Sequence, residues 1–293
     1  MIDRLKRMPV LALGLVASAC SPLLVFNAVI PKDGGVRVAA RDVAYGPDHR
    51  QQLDVYVPSG PAAGPRPIVV FFYGGSWNSG VKNGYGFVGR ALAAKGFVVA
   101  IPDYRLVPQV RFPAFLEDGA AAVRWIRGHA AQYGGDPDRV VLAGHSAGAY
   151  NAAMLALDRQ WLGADRAAVR GLIGLAGPYD FLPLDGPVVE AAFGQAPDKP
   201  ATQPVTFAGA ASPPAFLATA GKDTLVRPSN SDSLAGRLRA AGVAVERRDY
   251  PQVGHAGLVT ALAVPLRGKA AVLEEMTAFA RRVTGLAPAA GRD

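Results

Sequence analysis

The chain has 293 residues, of which 50% are hydrophobic and 18% are charged, and its formal net charge is +8. This length suits one large α/β domain or two small ones, and the apolar content supports a core and argues against a disordered chain. The positive charge forms no basic run or RNA-binding motif, which argues against nucleic acid as a partner and leaves an anionic membrane surface open.

The first 19 residues have the pattern of an export signal. Basic MIDRLKRM precedes apolar PVLALGLVASA, and Cys20, the only cysteine, follows at once. The segment resembles a bacterial lipoprotein signal, although Ala17 stands where that signal usually has leucine. We expect residues 1–19 to be removed, Cys20 to carry a lipid, and 20–35 to form a tether in the periplasm or cell envelope. Secretion without a lipid and an uncleaved anchor are the alternatives, since apolar residues continue to Ile30.

From residue 36 to residue 285, candidate strands alternate with candidate helices. VRVAARDVAY and QLDVYV read as an antiparallel pair. The strand candidates that follow are IVVFFY, FVVAIPDY, RVVLAG, GLIGLAG, AFLATAG and VAVERRDY. This alternation predicts an α/β fold with a mostly parallel sheet of about eight strands and helices on both faces. Residues 180–213, rich in Pro, Gly and Ala, are long for a connection and predict a short cap, and 286–293 predict a tail.

A candidate nucleophile lies in RVVLAGHSAGAYNAAML, where Gly144 to Gly148 form a G-x-S-x-G motif. A strand candidate runs into the motif and an alanine-rich helix candidate follows it, which is the strand–turn–helix context that the chemistry requires. Glycine is needed on both flanks because a side chain there would collide with the neighbouring strand or helix. We therefore predict that Ser146 is the nucleophile, beside a helix N-terminus that favours negative charge.

A serine hydroxyl needs a base, and the chain has four histidines. His49 falls in a surface turn and His129 near the end of an amphipathic helix, so both read as solvated. His145 adjoins the nucleophile on a turn so tight that neighbouring side chains point apart, so it reads as structural. His255 follows the last strand candidate in a glycine-flanked loop, and we predict that it is the base.

The acid that orients His255 must be an aspartate or glutamate. The chain order Ser…Asp…His leaves Asp180, after the sixth strand candidate, and Asp223, after the seventh. We favour Asp223, because AFLATAGKDTLV places it just past the carboxyl end of a strand.

Two glycines follow the buried strand IVVFFY, in the stretch IVVFFYGGSWNSG. A tetrahedral intermediate needs two or more N–H donors near its oxyanion, and the residue after the nucleophile, Ala147, supplies one. We expect the backbone of Gly74 and Gly75 to supply the rest, although a simple turn is the alternative. Trp77, Phe181 and Phe193 are candidate walls of a small apolar pocket, with core packing as the alternative for each.

Several stretches together resemble α/β-hydrolase esterases of the group that includes hormone-sensitive-lipase-like esterases, kynurenine-formamidase-like proteins and bacterial feruloyl-esterase-like domains. They are FFYGGSWNSG, IPDYRLVPQVRFPAFLEDGAAAVRWI, YGGDPDRVVLAGHSAGA, GKDTLV and VGHAG, and the resemblance covers about residues 36–285. It implies an α/β-hydrolase fold, with functional residues at the positions of Ser146, Asp223, His255, Gly74, Gly75 and Ala147. Many of these relatives have histidine where this chain has Tyr73, which implies altered support behind the oxyanion loop.

The motifs and the resemblance together predict a monomeric serine carboxylesterase that hydrolyses small esters with no metal or cofactor. Its partners are then a small-molecule ester and, through Cys20, a membrane. Arylformamide hydrolysis uses the same machinery and is the enzymatic alternative, against which the export signal argues. A lipid-tethered binding protein on an inert hydrolase fold is the alternative from another class.

Overall fold

The computed structural model describes residues 22–287. The predicted signal segment and Cys20 lie outside this range, as do residues 288–293 of the predicted tail. One eight-stranded sheet runs in the order β1-β2-β4-β3-β5-β6-β7-β8. Its strands are β1 Val36–Ala44, β2 Gln52–Pro58, β3 Arg66–Phe72, β4 Val98–Pro102, β5 Gly135–His145, β6 Val169–Leu175, β7 Ala215–Ala220 and β8 Val245–Tyr250.

Strands β3 to β8 are parallel to one another, whereas β2 is antiparallel to both β1 and β4. The carboxyl ends of six parallel strands therefore meet at one edge of the sheet, which is where ligand sites of open α/β sheets form. The central strands are apolar on both sides because helices cover both faces. The prediction of a mostly parallel eight-stranded sheet with an antiparallel first pair is confirmed.

The helices lie in two layers. They are α1 Pro22–Val29, α2 Gly86–Ala94, α3 Ala114–Gly128, α4 Ala147–Leu157, α5 Arg159–Leu162, α6 Pro187–Phe193, α7 Ser229–Ala240, α8 His255–Thr260 and α9 Val272–Thr284. Alternate residues of β3 show the division: Val69 and Phe71 join the core under α2 and α9, whereas Ile68, Val70 and Phe72 join the core under α3, α4 and α7. Within residues 22–287, no helix has the length and apolar character needed to cross a bilayer.

The cap and the N-terminal segment are more ordered than the sequence indicates. Residues 180–213, between β6 and β7, contain α6 and two short 3-10 turns, Pro200–Thr202 and Pro204–Phe207. The described part of the predicted tether, residues 22–35, contains α1, which packs on the hydrolase domain.

Candidate active site

The nucleophile lies in a sharp turn between β5 and α4. Ser146 has φ 55° and ψ −126°, and its N–H donates to the carbonyl oxygen of Leu175 at the end of β6 (2.8 Å). A non-glycine residue with positive φ is strained by about 1–3 kcal/mol and is typical of functional sites. A Cβ on Gly144 would collide with the backbone of Gly148, and one on Gly148 with that of Phe72. Only glycine therefore fits the two flanking positions.

The base and the acid meet at the same edge of the sheet. His255 Nδ1 lies 2.7 Å from Asp223 Oδ2, and the two side chains are 12% and 1% exposed. A carboxylate only accepts, so Nδ1 carries the proton and Nε2 keeps its lone pair for the nucleophile's proton. The other carboxylate oxygen, Asp223 Oδ1, accepts from the N–H groups of Leu225 (2.8 Å) and Val226 (2.9 Å). His255 is the first residue of α8, so it is fixed at a helix start rather than in the loop that the sequence indicated.

The other candidate acid has a different partner. The side chain of Asp180 accepts a hydrogen bond from Ser233 Oγ, and its backbone N–H donates to Asn230 Oδ1 (2.9 Å). Asp223 is thus the aspartate in contact with His255.

His145, beside the nucleophile, holds the backbone of the base. Its Nε2 donates to the carbonyl oxygen of His255 (3.0 Å), and the two rings lie 4.8 Å apart, centre to centre. Burial, followed by the neighbouring His255, lowers the pKa of His145 to about 3, so its ring is neutral at ordinary pH. The structural reading of His145 agrees with this geometry. Its role extends to positioning the catalytic histidine, which adjacency in sequence does not show.

Gly74 and Gly75 lie directly against the nucleophile turn. A Cβ on Gly74 would lie 2.9 Å from Ser146 Cβ and 3.0 Å from His145 Nδ1, so no side chain fits there. Gly75 has φ +138°, and a Cβ on it would collide with the Ser79 carbonyl. Burial raises the pKa of Tyr85 to about 12, and the nearby Gly74 backbone acts in the opposite direction.

The predicted oxyanion donors lie in the nucleophile turn and in the loop against it. Ala147 is the first residue of α4, where helical N–H groups have no partner within the helix. Gly74 and Gly75 are the candidate donors in the loop, and both positions exclude a side chain.

Tyr73, which replaces the family histidine, supports this loop through a buried network. Its hydroxyl donates to Asp103 Oδ1 (2.7 Å) and accepts from Arg50 Nη2 (2.8 Å). Arg50 also donates to the carbonyl oxygen of Gly80 at the end of the loop (2.9 Å). The Tyr73 ring stacks on Tyr104 at 4.8 Å, and the Tyr104 hydroxyl donates to the Tyr73 carbonyl (2.9 Å). The support behind the loop is therefore aromatic stacking joined to a buried carboxylate, and sequence reasoning missed Arg50 and Asp103 as its members.

A cavity of about 880 Å³ opens above the nucleophile. Ser146 and His255 line it together with the oxyanion loop and residues 180–189 of the cap. Its volume lies within the roughly 300–1,000 Å³ that is usual for small-molecule sites.

The three predicted wall residues divide into two groups. Trp77 and Phe181 line the cavity and stack on each other at 6.3 Å. Phe193 is fully buried and does not line the cavity. It packs edge-on behind Trp77 at 4.8 Å, so the prediction of Phe193 as a wall is corrected to a supporting role.

Three further lining residues were not predicted from the sequence. Leu23 of α1, Leu182 of the cap and Leu225, two residues after the acid, all line the cavity. The feature of the sequence that these three residues share is a leucine in an irregular or terminal segment. Among residues 22–287, no group of three or more His, Cys, Asp or Glu side chains is placed to hold a metal ion.

The sheet, the glycine-flanked serine and the His255–Asp223 pair define a Ser-His-Asp site on an α/β-hydrolase fold. The BD-FAE family model matches residues 53–238, more than half of the chain, and the chain belongs to this family.

Two relatives and one solved structure show the extent of the likeness. Carboxylesterase NlhH of Mycobacterium tuberculosis is 34% identical over 227 residues, covering 70% of each chain. Probable isoprenylcysteine alpha-carbonyl methylesterase ICMEL1 of Arabidopsis thaliana is 34% identical over 155 residues, covering 49% of this chain and 32% of that protein. This chain therefore matches about a third of the length of the plant relative. Esterase B from Lactobacillus rhamnosis has a similar fold, with a TM-score of 0.76, 20% identity, and coverage of 89% of this chain and 90% of that one.

Proposed function

We propose that the protein is a serine carboxylesterase that hydrolyses small carboxylic esters through an acyl-enzyme. The observation that carries the proposal is the 2.7 Å contact between His255 Nδ1 and Asp223 Oδ2 beside a cavity that Ser146 also lines. Relatives named carboxylesterase and methylesterase support esters as the substrate class.

The geometry gives each residue a role in the reaction. Ser146 Oγ attacks the ester carbonyl while His255 Nε2 takes the hydroxyl proton, and Asp223 stabilises the imidazolium. The N–H groups of Gly75 and Ala147 stabilise the oxyanion of the tetrahedral intermediate. When this intermediate collapses, the bond to the alcohol oxygen breaks and His255 gives its proton to the leaving alcohol. Water, deprotonated by His255, then attacks the acyl-enzyme, releases the acid and restores Ser146.

The cap supports a preference for short acyl chains of roughly two to eight carbons, by analogy with small apolar pockets. Phe181 and Trp77 form an aromatic wall beside the nucleophile, and Phe193 fixes Trp77 from behind. The Phe181 N–H donates to Gln203 Oε1 (2.7 Å), which ties this wall to the buried second half of the cap. Faster hydrolysis of long-chain triglyceride emulsions than of soluble short esters would contradict this preference.

A location outside the cytoplasm, with a lipid on Cys20, is the second part of the proposal. The basic and apolar pattern of residues 1–19, followed at once by the only cysteine, supports it. We expect Cys20→Ala to release the protein from membranes or to block its processing. Mass spectrometry that finds an unmodified Cys20 at the mature N-terminus would rule out the lipid.

A fluorophosphonate probe, which reacts with activated serines, tests the catalytic part. We expect wild-type protein to be labelled and Ser146→Ala to remain unlabelled with an unchanged melting temperature. A folded wild-type protein without labelling would support the inert binding protein instead. Parallel assays of a short-chain aryl ester and an arylformamide then separate esterase from formamidase activity.

A further inference from the structure

Helix α1 is firmly attached to the catalytic domain and forms part of its active-site wall. Leu23 lines the cavity that contains Ser146. Asn27 Oδ1 accepts from the N–H of Phe87, in the first turn of α2, at 2.9 Å, and Asn27 Nδ2 donates to the Asn83 carbonyl at 2.7 Å. Because the first N–H groups of a helix have no partner within it, Asn27 caps α2 from outside. A segment with such contacts has a fixed position relative to the cavity.

The two faces of α1 are both apolar. Leu23, Phe26 and Ile30 pack inward, with the Phe26 ring edge-on to Phe87 at 5.2 Å. On the outer face, Val25 is 52% exposed and Val29 is 74% exposed. The helix PLLVFNAV contains no charged residue. A helix with two apolar faces is normally buried or in contact with a membrane, and within residues 22–287 only the inner face of α1 is covered.

Two further exposed apolar side chains belong to the cavity itself. Leu182 is 38% exposed and Leu225 is 75% exposed, and both line the cavity. Within residues 22–287, five large hydrophobic side chains are exposed, and four of them lie in α1 or line the cavity. The fifth, Val264, begins the turn Val264–Lys269. Most of the large exposed hydrophobic side chains of residues 22–287 thus belong to α1, whose Leu23 lines the cavity, or to the cavity lining itself. Such clustering is typical of an interaction surface.

The chain that precedes α1 indicates what covers this surface. Residues 9–19 are apolar and Cys20 follows, only three residues before Leu23. Three residues of fully extended chain reach at most about 11 Å. Whether the anchor is a lipid on Cys20 or the uncleaved apolar segment, it holds the bilayer close to Leu23. Residues 1–19 contain three basic residues and one acidic residue, so the processed chain keeps a formal net charge of 8 − 2 = +6, which adds attraction to anionic lipid.

We propose that Val25, Val29, Leu182 and Leu225, which we call the entrance face, contact the lipid bilayer and hold the cavity mouth at its surface. The inference rests on the proposed esterase activity and membrane anchor, and it narrows the substrate class. The substrates are short-acyl esters whose alcohol portion is apolar and partitions into the bilayer, from which they enter the cavity between α1 and the cap.

The test uses the full processed protein, reconstituted in vesicles of phosphatidylethanolamine and phosphatidylglycerol. One substrate, dodecyl butyrate, resides in the bilayer, and another, 4-nitrophenyl butyrate, is dissolved in water. The variant Val25→Ser/Val29→Ser removes the apolar outer face without changing a cavity-lining residue. The matched control, Ala62→Ser/Ala63→Ser, alters exposed residues in the loop before β3, at the opposite end of the parallel strands.

We expect the α1 double variant to hydrolyse dodecyl butyrate about tenfold more slowly than wild type and 4-nitrophenyl butyrate within twofold of wild type. The control should match wild type on both substrates. Equal rates of the double variant and wild type on dodecyl butyrate would overturn the proposal, as would equal losses on the two substrates.

A second measurement locates the face without using activity. Brominated lipids should quench the added fluorescence of Val25→Trp and leave that of Ala63→Trp unchanged. Equal quenching at both positions would overturn the proposal, and so would a dimer that Val25→Ser/Val29→Ser dissociates, since a second copy would then cover the face. A wild type that hydrolyses neither ester refutes the proposed esterase activity, whereas the quenching result still decides whether the face contacts lipid.

Discussion

The replacement of Asp223 by asparagine tests the catalytic assignment most sharply. Its side chain is only 1% exposed and accepts from His255 Nδ1 and from the N–H groups of Leu225 and Val226. In Asp223→Asn, the amide oxygen can still accept the two backbone bonds, so the loop after β7 keeps its turn. The amide nitrogen, a donor, then faces Nδ1 and favours the tautomer with a proton on Nε2, where the base needs its lone pair.

The expected loss follows from the removal of both the correct tautomer and the compensating charge. For the same substitution in the Ser-His-Asp template the loss in kcat is about 10⁴, which corresponds to about 5 kcal/mol of transition-state free energy. The melting temperature should change little, because the backbone hydrogen bonds remain. The matched control is Asp180→Asn, which retains an acceptor for Ser233 and should leave kcat within about threefold.

Initial rates of 4-nitrophenyl butyrate hydrolysis over a substrate series, together with thermal unfolding, separate the two variants. Loss of activity in Asp180→Asn with retention in Asp223→Asn would refute the acid assignment. Equal losses in both, with equal drops in melting temperature, would show that the effect comes from folding rather than from the tautomer of His255.

Three further predictions concern the surroundings of the triad. His145 takes up a proton near pH 6.5 in the unfolded chain but only near pH 3 in the folded protein. The free energy of unfolding therefore falls as the pH drops below about 6.5, by at most about 1.4 kcal/mol per pH unit. His145→Gln should flatten melting temperature against pH between 6.5 and 4, and an unchanged slope would contradict this. Tyr73→Phe removes a donor to the buried Asp103 and should lower the free energy of unfolding in denaturant by about 1–3 kcal/mol. A variant as stable as wild type would contradict this. Gly75→Ala keeps the backbone N–H, but its Cβ would collide with the Ser79 carbonyl and displace the amide, so kcat should fall about 10²-fold. A change confined to KM would argue against an oxyanion role.

The nucleophile turn was predictable from sequence because its geometry has strict steric demands. A Cβ on Gly144 or Gly148 would collide with backbone, so the motif and its strand–helix context occur together for a physical reason. The sheet was predictable for a similar reason, since strands covered on both faces must be apolar throughout. The choice between Asp180 and Asp223 was less secure, because both follow strands and only the tertiary position of His255 separates them.

Short helices that depend on tertiary contacts were not predictable. Helix α8 has six residues and α1 has eight, and helices of this length are not stable alone in water. Apart from Asn27, the sequence of α1 is apolar, so it indicated a tether or, as the alternative, the continuation of an uncleaved anchor. The docking of α1 depends on the distant partners of Asn27. The sequence misplaced Phe193 for the same reason, because whether its side chain lines the cavity or packs behind Trp77 depends on how α6 packs.

Tyr73, at the position where the sequence departs from the esterases it resembles, ties the loop of Gly74 and Gly75 to a buried network. The hydroxyl of Tyr73 reaches past the loop to the carboxylate of Asp103. Burial raises the pKa of Asp103, and the hydrogen bond from Tyr73 opposes part of this rise. Asp103 also accepts from the N–H of Lys82 at 2.7 Å, and Arg50 joins Tyr73 to the Gly80 carbonyl, so both ends of the oxyanion loop are tied to one buried network. A displacement of about 1 Å at a reacting centre can cost about 10² in rate. The buried network therefore acts on catalysis through the position of the loop amides, even though none of its side chains needs to touch the substrate.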